Sequence, residues 1–179
     1  MQKNSYGFTL LELIVVIAII GILAVTVAPL FRGRESQLRT KEFVAKLNAL
    51  MQVSWQQALV SQKVQRVYFD FRNKKILLEE QKDIEGKDFV PIKSEFLDTQ
   101  MEIPSTYFFK NFYIEGKDEM LRKVRAAYFY IVPSGLAQTV IINIIDQGEE
   151  LKERESEKFG LVLNPFSAQF EYYDTFQKP

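Results

Sequence analysis

The sequence predicts an α+β fold: a long N-terminal helix packed on antiparallel β-sheet. Three observations predict it. An apolar run from Phe8 to Phe31, interrupted only by Thr9, Glu12 and Thr26, has the length of a long helix. Between Glu35 and Arg66 apolar residues recur at three- and four-residue steps, the period of a helix with one buried face. From Val64 onward, short β-branched and aromatic runs alternate with turn residues. No helical segment separates those runs, so no crossover can make them parallel.

The first element is the most unusual. Taken as a helix, Phe8 to Phe31 extends ~36 Å, enough to cross a hydrocarbon core of about 30 Å. Lys3 lies on one side and Arg32 with Arg34 on the other, so the positive-inside rule gives no orientation. Glu12 stands near the start of the run. A carboxylate at mid-bilayer costs about 2.5–3.5 kcal/mol on insertion scales and therefore marks a functional position with a partner. A plain anchor leaves Glu12 unexplained. A secretory signal cut after Thr26-Val27-Ala28 fits poorly: the run exceeds an ordinary signal core, contains Glu12, and would place Pro29 directly after the cut.

The stretch "GFTLLELIVVIAIIGILAVTVAP", residues 7–29, closely resembles the N-terminus of type IV prepilins and pseudopilins. The resemblance covers about the first thirty residues. It implies a leader of residues 1–7, cleavage by a prepilin peptidase between Gly7 and Phe8, and N-methylation of Phe8 by the same enzyme. It also implies that Glu12 is the family's assembly carboxylate and that Pro29 is a proline common in its membrane helix, able to kink or weaken it. Residues 8–31 would form the membrane-spanning, filament-core helix, and residues 32–179 a periplasmic pilin-like domain. The physical logic agrees. Cleavage would create an amine at Phe8, and a neighbouring subunit's Glu12 can neutralise it in a dry helical bundle, where either charge alone is costly.

The amphipathic helix is expected over about 35–66, with Leu38, Phe43, Leu47, Leu50, Met51, Trp55 and Ala58 on its buried stripe. Arg32-Gly33-Arg34 offers a hinge before it. The strand candidates follow in order. "VQRVYFDF" (64–71) and "ILLEE" (76–80) flank an Asn73-Lys74-Lys75 turn as a hairpin. "DFVPI" (88–92) is weakened by Pro91, and "STYFFKNFYI" (105–114) is rich in aromatics. "VRAAYFYIV" (124–132) and "AQTVIINIID" (137–146) flank Pro133-Ser134-Gly135 and read as a second hairpin. "FGLVLNPFSAQFEYY" (159–173) reads as a third, turning at Asn164-Pro165. The charged stretch 147–158 is expected to be a solvated loop. These spacings are similar to the GspH/FimT group of minor pseudopilins, which implies a long helix on two antiparallel sheets.

Composition narrows the chemistry. The chain has neither Cys nor His, which removes disulfides, thiolate ligands and the commonest general base. Positive and negative residues balance at 23 each, so no global field draws nucleic acid or anionic lipid. No glycine-rich phosphate loop is present. Asp83, Glu85 and Asp88 around Gly86 lack the spacing of an EF-hand and read as a surface turn. Catalytic, cofactor and metal residues are therefore not expected. A DNA surface would have to use Arg122, Lys123 and Arg125 beside Tyr128 and Tyr130, or Lys74 with Lys75; interleaved acids such as Asp118, Glu119 and Glu171 weigh against it.

Together the resemblance and the residues lead us to expect a minor pseudopilin of a type II secretion system, held in the inner membrane before assembly. Its expected partners are other pseudopilins, prepilin peptidase, the inner-membrane assembly platform and membrane lipid. The alternative is a minor pilin of a type IV pilus that binds DNA or cargo at the tip.

Overall fold

The computed structural model describes residues 10–82, 88–121, 124–148 and 157–179, with the side chains of 24–36 left undescribed. The chain divides into two units, Met1–Arg39 and Thr40–Pro179. One helix, α1 (Leu10–Ser61), contributes to both.

In the first unit the side chains from Leu10 to Leu23 are all exposed. That stretch is apolar on every side apart from Glu12 and the glycine at position 21. It extends about 20 Å at helical rise, short of a hydrocarbon core of about 30 Å. Among the described residues no helix is long and apolar enough to cross a membrane. The backbone of α1 is helical through Pro29 and Gly33.

In the second unit α1 ends at Ser61, short of the expected Arg66. The reason is local. Gln62 adopts φ 55°, the left-handed conformation that terminates helices. Ser61 Oγ and Gln62 Nε2 donate to the Gln57 and Leu59 carbonyls, at 2.8 Å each.

Among the described residues ten strands follow, every pair antiparallel. They are β1 (Gln65–Asp70), β2 (Lys75–Gln81), β3 (Phe89–Pro91), β4 (Gln100–Glu102), β5 (Tyr107–Ile114), β6 (Lys117–Asp118), β7 (Ala126–Ile131), β8 (Val140–Asp146), β9 (Glu157–Asn164) and β10 (Gln169–Tyr173). The first sheet has the order β3-β2-β1-β7, with β4 also on β2; the second runs β10-β9-β8-β5-β6. The α+β class, the β1–β2 hairpin and the β9–β10 hairpin match the expectation. Pro91 is accommodated because β3 is an edge strand, where a missing N–H breaks no ladder.

The expected hairpin of 124–132 with 137–146 does not form as one. Strand β7 pairs with β1 in the first sheet, whereas β8 sits between β5 and β9 in the second. An isolated bridge joins Ile131 of β7 to Ala137, which precedes β8, and Gln138 N donates to Tyr130 O at 3.1 Å. Burial explains the split. Most of β8 is buried, including Val140, Ile142, Asn143, Ile144 and Asp146, as suits a central strand with both faces covered. Strand β7 alternates, burying Ala127, Phe129 and Ile131 and turning Tyr128 outward. The chain changes sheets at Gly135, whose φ of +83° favours glycine.

The core lies under α1 and between the sheets. Phe43, Leu47, Leu50, Met51 and Ala58 are the buried apolar residues of the helix, and Trp55 packs partly buried beside them. Leu38, counted in the expected stripe, is instead exposed. Phe69 of the first sheet meets Phe112 of the second edge-on at 5.0 Å, and Phe43 meets Tyr107 at the same distance. Edge-to-face contacts of this kind add about 0.5–1.5 kcal/mol beyond burial.

Candidate functional site

The assembly residues expected from the sequence lie in the first unit. Gly7 and Phe8, where cleavage and methylation are expected, fall outside the described residues, as does the whole expected leader of residues 1–7. Glu12 is in the first turn of α1 and exposed. Around it Leu10, Leu11, Leu13, Ile14 and Ile17 are more than half exposed. A helix apolar all round is stable only when something apolar covers it. Pro29 lies within the helical backbone, and its side chain is not described.

In the second unit, polar side chains of α1 hold the sheets in place. Asn48 reads one residue of edge strand β10 completely: Oδ1 accepts from Phe170 N at 2.7 Å and Nδ2 donates to Phe170 O at 3.0 Å. One turn on, Gln52 Nε2 donates to Ser167 O at 2.9 Å. Trp55 Nε1 donates to Gly135 O at 2.9 Å. The buried Thr40 hydroxyl and the Tyr107 phenol lie 3.2 Å apart. The helical period did not announce the Asn48 and Gln52 contacts, because both residues fall outside the apolar stripe expected from the sequence.

The aromatic surface considered for nucleic acid is present on the outer face of the first sheet. Tyr68 and Tyr128 stack at 6.4 Å, and Tyr128 meets Tyr130 at 5.6 Å. The cation among them is Arg66, which the sequence reading did not single out. Its guanidinium lies 4.3 Å from the Phe89 ring centroid and 5.2 Å from that of Tyr128. It pairs with Glu79 at 2.6 Å. The β1–β2 register sets Arg66 opposite Glu79, a pairing that a hairpin count from the Asn73 turn could have found. Burial, chiefly, pushes the Tyr130 phenol above its ordinary range. Lys74 Nζ is tied to Tyr107 O at 3.1 Å. Arg122 and Lys123 lie outside the described residues.

Asp83 and Glu85 also lie outside, as do 149–156 of the charged stretch. Among the described residues no cluster of three acids could hold a metal. A groove of about 640 Å³ runs beside α1, lined by Leu50, Val53, Phe96, Leu97 and Met101 with Lys46 and Asp98. No hydroxyl side chain lines it.

Residues 2–28 match the prokaryotic N-terminal methylation motif. That match spans Gly7, Phe8 and Glu12, and implies a membrane-anchored, pilin-like chain. The fold is similar to the crystal structure of the minor pseudopilin EpsH from the type II secretion system of Vibrio cholerae, with a TM-score of 0.50 over 82% of this chain and 97% of that one, at 12% identity. The fold is a pseudopilin fold. A further structure of EpsH covers 76% of this chain and 94% of its own at 10% identity, with a TM-score of 0.49. No curated protein matches the chain. In the pseudopilin fold seen here, the methylation motif heads α1, and the same helix then carries Asn48, Gln52 and Trp55 onto the two sheets.

Proposed function

We propose that the chain is a structural subunit, a minor pseudopilin of a type II secretion pseudopilus, and that it catalyses nothing itself. The observation that carries this reading is a methylation motif over residues 2–28 that runs into a helix whose side chains from Leu10 to Leu23 are exposed and almost wholly apolar. Such a helix needs lipid before assembly and neighbouring helices after it.

The steps are those that the methylation motif implies. Prepilin peptidase cuts between Gly7 and Phe8 and methylates the new Phe8 amine. Residues 8–31 anchor the chain in the inner membrane, and residues 32–179 stand in the periplasm. On assembly, Glu12 accepts the Phe8 amine of an adjacent pseudopilin, so two charges costly in an apolar bundle cancel. The pair fixes axial register, because one contact in an otherwise uniform apolar surface is polar. Pro29 weakens α1 where it leaves the membrane. Retention of Glu12 allows the subunit to sit beneath another rather than only at the tip. The Arg66–Glu79 pairing supports this structural reading over a nucleic-acid-binding pilin, since the central cation of the aromatic face is already neutralised.

Intact-mass analysis of the chain recovered from membranes tests the processing step. The expected species begins at Phe8 and carries one methyl group on its amine. A chain starting at any other residue, or unmethylated in cells that methylate other prepilins, overturns the proposal.

A further inference from the structure

The residues after β10 do not leave the domain. They turn back across the outer face of the second sheet, advancing about one strand for every two residues. Thr175 O lies over Gly160 of β9, where a Cβ would come within 2.7 Å of it. Gln177 sits over Asn143 of β8: its N–H donates to Asn143 Oδ1 at 2.9 Å, and Asn143 Nδ2 donates to its carbonyl at 2.9 Å. Pro179 reaches the β5–β6 turn, with its Cβ 3.9 Å from where Gly116 would carry one.

Three features make this a built site rather than a loose end. Asn143 is 2% exposed yet on the outward side of its strand, so the crossing segment is what covers it. Its amide reads the N–H and C=O of a single residue, as a ladder partner does, and so recognises backbone rather than side chain. Gly160, at the position paired with both Asn143 and Tyr173, leaves the clearance for a second chain to pass. The site also connects sideways. Asn111 faces Asn143 at 3.4 Å and donates to Asp118 at 2.7 Å.

We propose that Asn143 and Gly160 form a receptor for an extended peptide backbone, occupied here by the chain's own 175–177 segment and able to take the same segment from a second copy. Exchange of this kind conserves every contact, which makes it a low-cost link between copies. The occupant is held by two backbone hydrogen bonds and a close approach. It therefore opens separately from the sheets beneath it.

Hydrogen exchange on the full chain in detergent micelles tests the separate opening. The Gln177 amide should exchange at least tenfold faster than the Phe129 amide of β7. Gly160→Ala should accelerate Gln177 at least a further tenfold while leaving Phe129 unchanged. Equal rates at Gln177 and Phe129 in the unaltered chain would overturn the proposal. A second arm uses a chain ending at Tyr173 and a fluorescent peptide of residues 174–179. Saturable binding is expected, at least tenfold weaker with Gly160→Ala and with the uncut chain. No saturable binding, or binding indifferent to Gly160→Ala, would overturn it. So would loss of the Trp55 near-ultraviolet signal on shortening, since a segment whose removal unfolds the domain belongs to its core.

Discussion

Replacing Asn48 with Ala should detach α1 from the edge of the second sheet. Its amide satisfies both the N–H and the C=O of Phe170, at 2.7 and 3.0 Å. Phe170 is 3% exposed, so water cannot readily replace the lost partner. Leaving one buried backbone group unsatisfied costs about 1–3 kcal/mol. Two such groups, partly relieved by local opening, give about 3 kcal/mol. For a chain of this size 1 kcal/mol moves the midpoint by about 2–4 °C, so Tm should fall by about 6–12 °C. Gln52→Ala is the internal control. It removes one part-buried bond, to Ser167 O at 2.9 Å, and should cost about 1 kcal/mol. Both shifts are read by thermal unfolding followed at Trp55, the chain's single tryptophan. An Asn48→Ala loss no larger than that of Gln52→Ala would refute the reasoning, because it would mean that Phe170 finds other partners.

Gly135→Ala should cost about 2–3 kcal/mol. The left-handed φ of +83° penalises a side chain by about 1–2 kcal/mol, and the new Cβ would stand 2.9 Å from Trp55 Nε1, weakening the Trp55–Gly135 bond. A shifted Trp55 emission with a lowered midpoint is the expected signature. Asp118 accepts from Asn111, Phe112 and Met120. Burial pushes its carboxyl up, but these three bonds together hold it below the usual range. Since the folded value lies below the unfolded one of about 3.9, the stability it contributes is complete above about pH 4 and drains away as pH falls through the folded value. Asp118→Asn should be less stable at neutral pH by about 2 kcal/mol and flatter in acid, as measured by urea midpoints across that range. Glu12→Ala should leave the unfolding midpoint of the Thr40–Pro179 unit unchanged while depleting the subunit from sheared filament fractions. Undiminished incorporation would remove the charge-pairing role.

Much of the molecule was legible because its signals are local. A helical stripe of Phe43, Leu47, Leu50, Met51 and Ala58, an apolar run with one acid at Glu12, and the turns at Asn73 and Asn164 each depend on residues within a few positions of one another. Local periodicity therefore gave the α+β class, the helix face and the two hairpins that are real. The motif that residues 2–28 match was legible through its resemblance to prepilin N-termini, not through periodicity.

Partner choice was not local. Strands 126–131 and 140–146 carry hairpin spacing and a turn, yet they belong to different sheets. That outcome depends on which neighbours cover the nearly all-buried β8, a matter of packing between β5 and β9 rather than of its own alternation. Arg66 met the Phe89 ring only once β3 lay on the far side of β2. Asn48 and Asn143 read as ordinary polar residues until Phe170 and Gln177, distant in sequence, were brought within hydrogen-bond reach. The sequence by itself determined the element types and the charged mark in the apolar helix, because periodicity and desolvation act along the chain. Only the tertiary structure decided which strands share a sheet and which amides clamp them, because those free energies exist only between segments already brought together.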